Sequence, residues 1–262
     1  MSEVAQWFRG RSRVLFVHAH PDDETITTGG TLAALAEAGL EPLLITLTRG
    51  ERGEVVPGPL QGLVQAHGLA VVRQNELKTA LGMLGLERHV FLGVEPARAE
   101  DHPPTIYEDS GMAWADSVPG EAPRAVPAED VGPDALTSVP AVEVLNDLLA
   151  GVYLSGAQGI VSYDDGGGYG HPDHVLAHQL SRAVATALGL PFWEIVSAPE
   201  DAEAQSEDEV ETHDIALWLD RKRAALRAYA TQLTVDGEEI VHVGGQRQAI
   251  ETIEQFRLRT LE

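Results

Sequence analysis

Residues 14–20 read VLFVHAH, and residues 21–24 continue PDDE. The first part is a short apolar run rich in β-branched side chains, bounded by charge and by proline. It predicts a buried strand that delivers the chain into a turn dense in His and Asp. Residues 43–48 (LLITLT) and 89–94 (HVFLGV) have the same character. Between them, 30–38 (GTLAALAEA) and 71–84 (VVRQNELKTALGML) carry helix formers at helical spacing. Strands alternating with helices predict βαβ units, and so an α/β fold with a mostly parallel sheet.

Further along, 95–140 is rich in Pro, Gly, Asp and Glu without periodicity, and such long irregular segments are functional or disordered. A helix is expected over 142–154 (VEVLNDLLAGVYL), then a strand over 159–163 (GIVSY) and the glycine-rich DDGGGYG. A helix over 171–188 and a strand over 192–197 follow. The acidic run 199–211 reads as a solvated loop or frayed helix end. A strong helix is expected over 213–233, with Ile215, Leu217, Leu219, Leu226 and Ala230 apolar, and a last one over 250–261. With no repeat and no linker, residues 1–262 are expected to form one domain.

The 262 residues include 41 acidic and 18 basic side chains, for a net charge of −23. That excess argues against nucleic acid as a partner, because phosphates need a basic face. With no cysteine, disulfides, thiolate zinc sites and a cysteine nucleophile are excluded. No apolar run reaches membrane-spanning length, and MSEVAQWFRG lacks the apolar core of a signal peptide, so a cytoplasmic protein is expected. Composition leaves monomer and homo-oligomer equally open.

Two stretches carry chemistry: AHPDDE (19–24) after the first strand and GGYGHPDH (167–174) after the fourth. In an open α/β sheet the carboxyl ends of the strands form the crevice where ligands bind, so the two are expected to converge. His20, Asp22, Asp23, His171, Asp173 and His174 offer imidazoles and carboxylates without sulfur. Two His and a carboxylate around an open position form a common catalytic zinc shell, and the same set holds Fe(II) or other divalent ions. Of the adjacent Asp22 and Asp23, one can bind metal while the other faces the water the metal activates. Pro172 at the first helical turn places His171 near the N-cap. His18 and His178 read as structural or supporting histidines, and Trp193 and Trp218 as core.

AHPDDE with a later GHPDH resembles the PIG-L, or LmbE-like, zinc-dependent N-acetylglucosamine deacetylase family. The likeness extends to TRGERGEV (48–55), RQNEL (73–77), DSGM (109–112) and KRAALRAYATQ (222–232). Together these resemble the actinobacterial branch that makes and uses mycothiol, which holds the N-acetylglucosaminyl-inositol deacetylase and the mycothiol S-conjugate amidase. The resemblance implies a Rossmann-like fold with helices on both faces of the sheet. It implies His20, Asp23 and His174 as metal ligands, Asp22 as general base, and His171 as oxyanion stabiliser in its imidazolium form. Tyr169 matches a mobile tyrosine that also contacts the oxyanion. Arg73 and Asp109 match positions that hold sugar and inositol hydroxyls, and Glu54 falls in a loop near the site. The partner implied is a small amino-sugar conjugate, and the cofactor Zn²⁺, with Fe²⁺ or another divalent ion as the alternative.

There are departures. Tyr229 stands where relatives often carry His, and the C-terminal part is short for the branch. Residues 25–28, TITT, lack the lysine that amidase members tend to carry, which favours the deacetylase. The rival reading is the S-conjugate amidase. A divalent-metal phosphoesterase, deacetylases of unrelated amino sugars or small amides, and a non-catalytic metal-stabilised sugar-binding module are more distant.

Overall fold

A computed structural model describes residues 3–115, 125–197 and 209–260. Its centre is a seven-stranded sheet in the order β3-β2-β1-β6-β7-β12-β8. These strands are β1 (Val14–His18), β2 (Leu43–Thr46), β3 (Arg88–Phe91), β6 (Gly159–Ser162), β7 (Phe192–Ile195), β8 (Glu209–Asp214) and β12 (Ile253–Arg259). From β3 through β7 every pairing is parallel, with Leu15 opposite both Leu43 and Ile160. β12 runs antiparallel to both β7 and β8. The two stretches expected to converge leave β1 and β6, which are adjacent at the point where strand order reverses.

Alternation along the strands divides the core in two. Val14 and Phe16 of β1 join one buried cluster with Leu44, Val161 and Trp193, whereas Leu15 and Val17 join another with Ile45, Ile160 and Phe192. Helices α1 (Asp23–Glu37), α3 (Leu69–Leu84) and α6 (Leu219–Leu226) cover the first face, and α4 (Ala141–Ser155) and α5 (Pro172–Leu188) the second. Each fully buried large side chain contributes roughly 1.5–3 kcal/mol, so both faces are needed to offset the ordering of the chain. A short helix α2 (Leu60–His67) precedes α3, β4 (Ala113–Trp114) pairs with β5 (Ala125–Val126), and β9 (Leu233–Asp236), β10 (Glu239–His242) and β11 (Arg247–Ala249) form a small antiparallel sheet. No helix among the described residues is long and apolar enough to cross a membrane.

Three expectations are corrected. The first helix begins at Asp23, not at residue 30, because the Asp22 carbonyl accepts from Thr25 N at 3.0 Å and Ile26 N at 2.9 Å. The helix then runs through the TITTGG stretch. There Gly30 N and Thr31 N donate to the Glu254 carboxylate at 2.9 and 2.8 Å. The segment 213–233 is not one helix. Residues up to Asp214 belong to β8, where His213 is buried and stacked 3.8 Å from Trp7, and α6 ends at Leu226. Leu217, expected on the apolar face, is exposed. The segment 250–261 holds β12 rather than a helix, because ordered pairing between β7 and β8 outweighs local helix propensity. Of the acidic run, residues 199–208 lie outside the described residues, and 209–211 open β8.

Candidate active site

The loop leaving β1 carries His20, Pro21 and Asp22 and ends where α1 starts at Asp23. The loop leaving β6 carries Tyr163 through His171. His171 caps α5, its Nδ1 accepting from Asp173 N at 3.2 Å, with Pro172 in the first turn. Side chains about 150 residues apart in sequence thus meet at one edge of the sheet.

Three atoms converge most tightly. His20 Nδ1 lies 3.3 Å from Asp23 Oδ2, His174 Nε2 lies 3.2 Å from the same oxygen, and the two nitrogens are 3.2 Å apart. The outer hydrogen bonds fix both tautomers. His20 Nε2 donates to Asp173 Oδ2 at 3.2 Å, and His174 Nδ1 donates to the carbonyl of Gly167 at 3.2 Å. Each imidazole therefore turns a lone pair inward, toward a carboxylate oxygen. Three inward lone pairs at this spacing repel one another unless a cation lies among them. Tetrahedral zinc with ligand bonds of about 2.0–2.1 Å sets its donor atoms roughly 3.3 Å apart, so the set fits a divalent ion. One nitrogen of His171 also lies within 4.8 Å of one nitrogen each of His20 and His174.

The electrostatics agree. Burial alone would lower the pKa of His20, but Asp109, Asp173 and Asp23 carry it well above the usual histidine range. Burial would raise Asp23, but His174 and His20 hold it well below the usual carboxylate range. Both shifts express a demand for positive charge at the same point.

Asp22 faces this centre from a strained backbone, with φ 108° and ψ −36°, a region that non-glycine residues rarely enter. Its Oδ2 is 3.1 Å from Arg73 Nη2. Burial pushes its carboxyl up to about 6 against the pull of Arg73. A carboxyl in that range is ionised near neutrality and still basic enough to accept a proton.

Arg73 does not reach outward. Its guanidinium donates to the carbonyls of Pro21 and Gly50, the latter at 2.7 Å, and is almost wholly buried. Gly50, at φ 63°, is required here, since a Cβ would fall 2.0 Å from Arg73 Nη1. Asp109 is also internal: its Oδ1 accepts from Gly111 N at 2.7 Å and stands 3.5 Å from His20 Nε2. His171 Nε2 is 4.0 Å from the same oxygen. The expectation of an imidazolium at His171 is corrected. Its Nδ1 accepts a backbone N–H, and burial with His20 and His174 nearby pushes its pKa down to about 3. It is a neutral ring whose Nε2–H is the free donor.

Tyr169 is 62% exposed, its ring 5.0 Å from His174 and 6.1 Å from His171, on a loop whose glycines 167, 168 and 170 all have positive φ. Glu54 is exposed on the loop after β2. His18 hydrogen-bonds Thr28 at 3.2 Å and is fully buried, and His178 donates to the Tyr163 carbonyl at 3.0 Å, so both are structural or supporting. Trp193 is core, and Trp218 packs partly buried against it.

Sequence reasoning missed two residues and undervalued a third. Tyr163 donates to Asp23 Oδ2 at 2.7 Å and stacks 4.1 Å from His174, thereby fixing two members of the cluster at once. Asp173 orients His20 and is itself held by Ser110 N at 2.9 Å. Glu24, within AHPDDE, binds the Asp22 amide at 3.1 Å. Tyr163 directly follows a strand and Glu24 opens a helix, so neither stands out by type, whereas Asp173 was visible in HPDH.

A family model described as PIG-L, GlcNAc-PI de-N-acetylase, matches residues 15–185, from β1 into α5. The chain belongs to the PIG-L family. Among its relatives, the 1D-myo-inositol 2-acetamido-2-deoxy-alpha-D-glucopyranoside deacetylase of Kineococcus radiotolerans is 37% identical, covering 94% of this chain and 77% of its own. The protein of the same name from Saccharomonospora viridis is 35% identical, covering 94% of each. Among solved structures, a deacetylase in complex with teicoplanin superposes with a TM-score of 0.59 at 15% identity, covering 94% of this chain and 97% of its own. At that identity the likeness speaks for the PIG-L fold alone.

Proposed function

We propose that this chain is a single-domain, cytoplasmic, zinc-dependent hydrolase that removes the acetyl group from an N-acetylglucosamine conjugate, with N-acetylglucosaminyl-inositol as its substrate. The observation that carries the reading is the convergence of His20, Asp23 and His174 beside the separately held carboxylate of Asp22. The names of its relatives support the choice of sugar.

An amide carbonyl is a poor electrophile, so its hydrolysis needs an activated water and stabilisation of the developing oxyanion. Held by His20, Asp23 and His174, zinc would supply Lewis-acid polarisation and acidify a water. Asp22 takes the proton from the attacking water and then carries it to the departing amine, so that water and amide become acetate and free amine. The Nε2–H of His171 and the hydroxyl of Tyr169 donate to the carbonyl oxygen as charge builds on it. Arg73 and Asp109, each engaged inside the protein, serve this reading by orienting Asp22 and His20.

The test is acetate release from N-acetylglucosaminyl-inositol by zinc-loaded and zinc-stripped protein. Turnover restored by adding zinc to the stripped protein supports the reading. Full turnover after complete stripping contradicts it.

A further inference from the structure

Asp22 is held in its unusual backbone conformation from both sides. Arg73 donates to the carbonyl of Pro21 just before it, and Glu24 Oε2 accepts from the Asp22 amide at 3.1 Å. The second contact is a helix-start clamp, in which a first-turn carboxylate reaches back to the N-cap amide. Glu24 is 0% exposed and, among the described residues, has no cationic partner. Its other oxygen, Oε1, is held by neutral donors, the Tyr229 hydroxyl at 2.5 Å and the Thr25 hydroxyl. Tyr229 is also 0% exposed and lies just beyond α6, about 200 residues from Glu24 in sequence. A buried carboxylate without a counter-ion is costly, and here two hydroxyls on Oε1 and the Asp22 amide on Oε2 offset that cost, so the hydroxyls help set the position from which Glu24 holds the amide.

We propose that Glu24 and Tyr229 are positioning residues that fix the orientation of Asp22. The inference rests on the reading of Asp22 as the base. Tyr229 locks the Glu24 carboxylate, Glu24 locks the Asp22 amide, and that amide sets where the Asp22 side chain points. A carboxylate displaced by a fraction of an ångström still leaves the ligands and the substrate pocket in place. The loss therefore falls on the chemical step and not on binding.

The experiment compares Tyr229→Phe with wild type in the zinc-loaded full chain. We expect kcat to fall about tenfold with KM and bound zinc unchanged. We also expect faster hydrogen exchange at the Asp22 amide, with β1 as protected as before. A kcat within about twofold of wild type, or a loss accounted for by KM or zinc content, overturns the proposal. If Tyr229→Phe fails to fold, Thr25→Val removes the other hydroxyl from the same oxygen. It must show the same split, or the proposal is overturned. Asp22→Asn separates the two levels. Full activity in Asp22→Asn removes the base reading, whereas full activity in Tyr229→Phe beside an inactive Asp22→Asn removes only this inference.

Discussion

His174 Nε2 faces His20 Nδ1 across 3.2 Å, and both nitrogens are turned inward by hydrogen bonds that occupy their opposite sides. Two such nitrogens attract each other only through something positive between them, a shared proton or a metal ion. Replacing His174 by Ala should therefore abolish stoichiometric zinc binding, measured by metal analysis after gel filtration. Zinc at a hundredfold excess over its Kd should stabilise the wild type by about 2.7 kcal/mol, raising the melting temperature by roughly 5–10 °C. A His174→Ala protein that still binds one tight zinc would remove the ligand assignment.

Asp22 stands near enough to the cluster for its charge to be felt there, without belonging to its three tightest donors. Asp22→Asn keeps the shape and removes the basic oxygen. It should retain zinc while losing about 10²- to 10⁴-fold in kcat. Near-normal turnover with zinc bound would mean that another group takes the proton.

Tyr169 is the exposed member of the site. Because its hydroxyl meets the carbonyl oxygen chiefly as charge develops there, Tyr169→Phe should lower kcat by about 10- to 100-fold and leave KM nearly unchanged. Steady-state kinetics decide this, and an unaltered kcat would return Tyr169 to a purely structural place in its loop.

Away from the site, Lys222 Nζ donates to Glu254 Oε1 at 2.8 Å, with both side chains 2% exposed. Lys222→Met leaves a buried carboxylate without its cation. It should cost about 3–5 kcal/mol of stability, read from urea denaturation midpoints. A change below about 1 kcal/mol would show that Gly30 N and Thr31 N suffice to hold Glu254.

The parallel half of the sheet was legible because each strand is a short apolar run closed by polar residues, as in VLFVHAH and GIVSY. The site was legible because both His–Pro–Asp tripeptides follow such strands. What escaped depends on distant partners. The residues of β12 form a strand because β7 and β8 bracket them in the sheet, and each of those pairings reaches back about 40 residues or more in sequence. Arg73 and Asp109 were expected at the substrate; that Arg73 also holds the carbonyls of Pro21 and Gly50, and that Asp109 also stands 3.5 Å from the ring of His20, no local pattern reveals. The protonation of His171 depends on its cap to Asp173 N and on two neighbouring imidazoles, again a property of the assembled site.

The central claim is that this site deacetylates an inositol-linked amino sugar. The most direct measurement is amine release by the zinc-loaded protein on N-acetylglucosaminyl-inositol and on a mycothiol S-conjugate, side by side. The account predicts a clear preference in kcat/KM for the first. A preference for the S-conjugate, or turnover of neither with zinc bound, would contradict it.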